Sequence, residues 1–134
     1  MTTDSIDTNI LLRYILGDVP EQRKLAANFL RDSKSSHYLS NQALLESIYV
    51  MEIVEEMTRD EIIDSLNLFF ARYDSVLEYD CSLFNLASTS YQQHPKLSWA
   101  DCALAAEAEL KQREPLFTFD KKLANQLPQA KLLV

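Results

Sequence analysis

The apolar positions follow two rhythms that trade places along the chain. Ile10, Leu11, Tyr14 and Ile15 recur at helical spacing, so a helix is predicted from about Thr8 or Asn9, with Asp7 at its mouth. Gly17 to Pro20 interrupts the pattern, and EQRKLAANFLRD predicts a second amphipathic helix through Leu25, Ala26, Phe29 and Leu30. HYLS, 37–40, has the pattern of a short strand, and a third helix is expected from about Asn41 to Met57. In TRDE, Thr58 and Glu61 have capping-box spacing ahead of a fourth helix carrying Ile62, Leu66, Phe69, Phe70 and Tyr73. SVLEY, 75–79, is the next strand, and Asp80 or Ser82 caps a helix that ends before His94 and Pro95. Ser98 and Asp101 open a further helix through Trp99 to about Gln112. PLFTF, 115–119, a short helix after Asp120 and a closing KLLV complete the chain. Strands separated by helices run parallel, so the pattern predicts an α/β fold with helices on both faces of a parallel sheet. Ligands in such folds gather beyond the carboxyl ends of the strands.

Length sets this as one domain, 1–134, and a composition that is 47% apolar and 25% charged is that of an ordinary folded protein. MTTDSID has neither a basic nor an apolar leader segment, and no apolar run is long enough to span a bilayer, so a cytoplasmic protein without membrane contact is expected. Cys81 and Cys102 form no CxxC pair and are expected to be free thiols. A net charge of −7 opposes bulk attraction of nucleic acid. The charge is uneven, however: Glu46, Glu52, Glu55, Glu56, Asp60, Glu61 and Asp64 crowd the middle, while Arg23, Lys24, Arg31 and Lys34 lie together near the start. A small basic face is compatible with that distribution.

Four acids carry the candidate chemistry. Positions 46, 50, 53 and 57 share one helical face and read Glu46, Val50, Ile53, Met57; positions 101, 104, 105 and 108 share another and read Asp101, Leu104, Ala105, Ala108. Each carboxylate therefore opens a face otherwise suited to burial, whereas Glu52, Glu56, Glu107 and Glu109 fall elsewhere around their helices. An unpaired buried carboxylate costs several kcal/mol or protonates, so a partner is expected for each. Asp7 and Asp120 follow strands. If the four converge on one edge of the sheet, repulsion raises their pKa values unless cations neutralise them, and an all-oxygen set selects Mg²⁺ or Mn²⁺. Two such ions are a known arrangement for phosphodiester cleavage. Structural readings stand beside each assignment: Asp7 and Asp120 as helix caps, Asp101 paired with Ser98 in a cap, and Glu46 in a salt bridge with an arginine such as Arg13.

DTNILLRYI, ALLESIYVM, SWADCALAA and LFTFDKKLA resemble the four signature segments of PIN domains, in order and spacing, over nearly the whole chain. Their order and spacing resemble those of the small prokaryotic PIN ribonucleases, notably the toxins of VapBC-type pairs. The resemblance implies a three-layer fold with a central parallel sheet of about four to five strands, and Mg²⁺- or Mn²⁺-dependent cleavage of RNA. It implies that Asp7, Glu46, Asp101 and Asp120 are the catalytic, metal-holding acids, with Asn9 and Thr118 orienting them. It further implies a homodimer silenced by an antitoxin protein. Three departures stand out: Asp4 and Ser5 lie where an apolar strand is usual, Lys122 stands where a further acid is frequent, and the glycine common before SWAD is absent. Accordingly, the first strand is expected to be short or unusually placed. Against an acidic protein, a polyanionic substrate needs a local basic rim, for which Arg13, Lys121 and Lys122 are the RNA-binding candidates, followed by Arg23 and Lys24.

A phosphatase of the haloacid-dehalogenase type needs a second aspartate two residues after the first, and position 9 is Asn. A metal-independent ribonuclease needs an acid/base pair, and the only histidines, His37 and His94, stand in ordinary strand or turn contexts. Trp99 and Phe119 are able to stack a base, although such positions more often belong to a core. The remaining alternative is an inactive PIN fold that binds RNA or protein without cleaving.

Overall fold

The polar start of the chain does form a strand, and its depth is set by one buried histidine. In the computed structural model, which describes residues 2–32 and 34–134, β1 (Thr2–Ser5) pairs in parallel with β2 (Ser35–Tyr38), which pairs in parallel with β3 (Leu77–Glu78). Asp4 is in register with His37 on the central strand. The His37 ring is fully buried, beneath the ring of Phe29 at 4.5 Å, and its Nδ1–H donates to Asp4 Oδ1 at 2.6 Å. The carboxylate selects that tautomer, because an ionised carboxylate only accepts. Asp4 thus replaces the usual apolar strand residue with a partner for a buried imidazole, whose Nε2 has no hydrogen bond among the described residues. Asp4→Ala leaves that imidazole wholly unsatisfied and is expected to cost about 2 kcal/mol. Urea denaturation checks this, and a loss below about 0.5 kcal/mol, the size of an ordinary surface substitution, removes the pair from the stabilising contacts.

The backbone groups into two compact units, Met1–Tyr79 and Asp80–Val134. In the first, β1 leads through α1 (Thr8–Leu16) and α2 (Pro20–Leu30) to β2, which leads through α3 (Asn41–Tyr49) and α4 (Arg59–Arg72) to β3. Gly17, the only glycine, ends α1 at φ 63°, the left-handed conformation that a side chain resists. Thr58 and Glu61 cap α4 reciprocally, as their spacing predicts. The core of this unit holds Leu11, Leu30, Leu39, Ile48, Met51, Ile62 and Leu66 beside the rings of Phe69, Phe70 and Tyr73.

The third helix departs from its expected course. Regular α-helix stops at Tyr49 and a π-helical turn, Val50–Val54, follows, closed by Glu55 N–H donating to the Val50 carbonyl and by Glu56 at φ 54°. A π turn inserts a residue into the helical register. The predicted stripe through Glu46, Val50, Ile53 and Met57 is therefore not a buried face: Ile53 is 56% exposed, and burial passes instead through Ala43, Leu44, Ser47, Ile48 and Met51.

In the second unit α5 (Cys81–Gln93), capped by Asp80, packs against α6 (Trp99–Leu110), with the Trp99 ring against those of Phe84 and Tyr91. β4 (Leu116–Thr118) and β5 (Ala130–Leu132) pair in parallel across α7 (Lys121–Gln126). The strands are thus five, all parallel, in a three-stranded and a two-stranded set among the described residues. The α/β architecture is as the helix and strand rhythms predict. Among the described residues neither the exposed Cys81 nor the buried Cys102 is in a disulfide, and no helix is long and apolar enough to cross a membrane.

Candidate active site

Asp7 is the N-cap of α1, accepting from the Thr8 N–H at Oδ1 (2.7 Å). The Thr8 hydroxyl donates in the other direction, to Glu46 Oε2 on α3 at 2.9 Å. One residue, 38 positions before Glu46 in sequence, therefore ties together two of the four acids. Gln42, one turn before Glu46 on α3, donates to its other oxygen, Oε1, at 3.1 Å. These bonds, Gln42 first and Thr8 second, hold the Glu46 carboxyl below its ordinary range. Asp7 and Glu46 are both exposed, so neither suffers the burial that the broken-stripe pattern implied. Asp7 Oδ2 accepts no hydrogen bond among the described residues.

In the second unit Asp101 is the third residue of α6 and half-buried; its Oδ2 accepts from the Ser98 N–H, while Ser98 Oγ accepts from the Asp101 N–H. The face it opens is mixed, with Ala105 and Ala108 buried and Leu104 exposed. Asp120 caps α7 through Oδ1, which accepts from the N–H groups of Lys122 and Leu123. Thr118 Oγ1 accepts from the Asp120 N–H at 2.9 Å and so holds the backbone of that acid. The capping readings and the carboxylate readings are thus compatible, since each cap occupies a single oxygen and leaves the second able to ligate.

The polar candidates divide. Thr118 touches its acid, whereas Asn9 makes no side-chain hydrogen bond among the described residues and lines a groove of about 460 Å³ between α1 and α2, with Ile10, Leu25 and Phe29. Arg13 does not reach Glu46; its guanidinium is engaged by Asp18 at 2.6 Å, and that bond holds the Asp18 carboxyl below its usual range. Lys121 and Lys122 are exposed at the start of α7, without a carboxylate partner among the described residues. Trp99 lies in the core, while Phe119, next to Asp120, is 79% exposed. Among the described residues no group of three or more His, Cys, Asp or Glu side chains stands close enough to hold one metal ion.

Sequence reasoning missed Thr8 and Gln42; the apolar spacing marks Thr8 only as the start of a helix. Gln42 was legible as the i−4 neighbour of Glu46, a spacing that brings helix side chains together. The Thr8 to Glu46 contact has no sequence signature, because it depends on how α1 and α3 meet.

Carboxylate oxygen is the donor type that hard divalent ions take; Asp7, Asp101 and Asp120 each have an oxygen outside the cap hydrogen bonds, and Gln42 and Thr8 hold the Glu46 carboxyl below its ordinary range. No curated protein matches the chain. The family model for the PIN domain matches residues 5–126, running through both units and all four acids. PIN domains are generally nucleases, and PIN nucleases typically use Mg²⁺ or Mn²⁺ and bind RNA. The chain belongs to the PIN domain family.

Proposed function

We propose that this chain is a single PIN domain, 1–134, acting as a Mg²⁺- or Mn²⁺-dependent endoribonuclease, the cytoplasmic toxin of a toxin–antitoxin pair. Asp7, Glu46, Asp101 and Asp120 would hold the ions. The observation that carries the reading is the Thr8 link, whose N–H donates to Asp7 and whose hydroxyl donates to Glu46, a carboxyl that Gln42 and Thr8 hold below its ordinary range. The net reaction is hydrolysis: the oxygen of water bonds to phosphorus, one P–O ester bond breaks, and the leaving ribose oxygen takes a proton. Bound ions would supply a water of lowered pKa and positive charge to offset the developing negative charge. The chain itself orients Glu46 through Thr8 and Gln42, and the backbone of Asp120 through Thr118. A homodimer and an antitoxin partner belong to the same proposal.

A second reading, a PIN fold that binds RNA or protein without cutting, draws on the absence of a three-ligand group among the described residues. The two separate in one assay. Purified protein is incubated with labelled single-stranded RNA in EDTA, Mg²⁺ or Mn²⁺. Cleavage is expected only with metal and is expected to return when excess metal is added to the EDTA sample. Binding of RNA without cleavage under either ion selects the inactive reading.

A further inference from the structure

Seven lysines and arginines lie in the first unit. Arg13 pairs with Asp18 and Arg59 with Glu52, but Arg23, Lys24, Arg31, Lys34 and Arg72 have no carboxylate at salt-bridge distance among the described residues. That is unexpected in a chain with 20 acids against 13 bases. Four of these five line two grooves that share Arg23. One, of about 570 Å³, lies among α1, α2 and α4 with Tyr14, Arg23, Ser65, Leu68 and Arg72 on its walls. The other, of about 330 Å³, runs along α2 past Arg23, Lys24, Asn28 and Arg31.

Arg23 is held in place. Its Nε–H donates to the Tyr14 carbonyl at 3.0 Å, its guanidinium lies 5.0 Å from the centre of the Tyr14 ring, and its Cδ passes beside Gly17, where a methyl group would stand 3.2 Å away. One of five guanidinium donors is used and the four on the Nη atoms are left. The helix dipole gives a purely structural reason for cations near the ends of α1, α2 and α4. It does not account for the missing carboxylates, nor for Lys24 in the middle of α2. The first groove also has apolar walls, including Ile15 and the 73% exposed Leu68. Apolar and aromatic surface beside cations suits a single strand, whose bases are unstacked and open to contact.

We propose that Arg23, Lys24, Arg31 and Arg72 form a tract that binds the phosphates of single-stranded RNA at the end of α1 opposite Asp7. Thr8 and Tyr14 are about 9 Å apart along the helix axis. The tract therefore holds a part of the strand away from Asp7 and supplies the attraction that a net charge of −7 denies. The choice of RNA as ligand rests on the ribonuclease reading.

The test is a fluorescence-anisotropy titration of a short labelled oligouridylate in EDTA across a salt series. It compares the unaltered protein with Arg23→Gln/Arg72→Gln and Lys24→Gln/Arg31→Gln. Each pair is expected to weaken binding roughly tenfold and to reduce the slope of log K against log salt by about 1.4, two phosphate contacts on a single strand. Unchanged affinity and slope in both pairs overturn the tract. So does a loss confined to the Arg23 pair and accompanied by a lower melting temperature, which marks Arg23 as a cap. Tighter binding of polyglutamate than of RNA, with the same sensitivity to the variants, overturns RNA in favour of an acidic protein segment. Because no turnover is needed in EDTA, failure to cleave with Mg²⁺ or Mn²⁺ defeats the nuclease reading alone and leaves this result standing.

Discussion

Asp7→Asn is expected to lower RNA cleavage by roughly a thousandfold or more, a loss of about 4 kcal/mol in transition-state stabilisation, while the protein stays folded. The substitution separates the two roles that Asp7 combines. As an N-cap, asparagine is about as good as aspartate, and its Oδ1 still accepts from the Thr8 N–H. As an ion ligand it lacks the charge. Repulsion between position 7 and Glu46 also falls, so stability without metal is expected to be unchanged or slightly higher. Asp101→Asn follows the same logic, since an amide oxygen still accepts from the Ser98 N–H in the cap of α6. Cleavage rates, circular dichroism and thermal melts measured on the same samples give the answer. An unfolded variant would identify a structural cap or charge contact, and a folded variant with full activity would remove the residue from the metal site.

Thr8→Val is expected to be the next most damaging single change, at about 10- to 100-fold in activity or metal affinity, the usual effect of removing a partner that orients a metal ligand. Valine keeps the shape of threonine and the backbone N–H bond to Asp7, and removes only the hydroxyl that donates to Glu46 Oε2. The sign of the pH effect follows from the cause. Hydrogen bonds from Gln42 and Thr8 depress the Glu46 carboxyl, so its ionised form favours the folded site above the unfolded pKa, and that contribution is lost as pH falls through the folded value. Without the Thr8 donor the folded value rises, and the acid limb of the pH–rate profile moves upward toward the ordinary glutamate range. Thr8→Ser restores the donor and is expected to restore both rate and profile. A Thr8→Val enzyme with the original acid limb would detach Glu46 ionisation from the reaction.

Much of the architecture was legible because local spacing and local chemistry agree. The Thr58–Glu61 and Ser98–Asp101 caps, the Asp80 cap and the left-handed Gly17 each depend on residues within one turn of one another. Where sequence reasoning failed, either the helical register changed or a partner that the pattern does not reveal engaged the side chain. The apolar stripe below Glu46 assumed a continuous α-helix, and the π turn at Val50–Val54 breaks that register. The polar β1 looked anomalous until His37, brought into register by parallel pairing, supplied a partner for Asp4. Arg13 was a plausible partner for Glu46 or for RNA, and Asp18, five residues on, takes it.

By itself the sequence determined the alternation of helices and strands, the parallel α/β class and the four acids with their flanking motifs. These follow from apolar period and residue type, which are properties of short segments. Only the tertiary structure decided that Thr8 joins Asp7 to Glu46, that the acids of the first unit are exposed, and that the unpaired cations gather along α2 and the end of α4. Hydrogen bonds and ion pairs act over a few ångströms, and which side chains come that close depends on how helices far apart in sequence pack together.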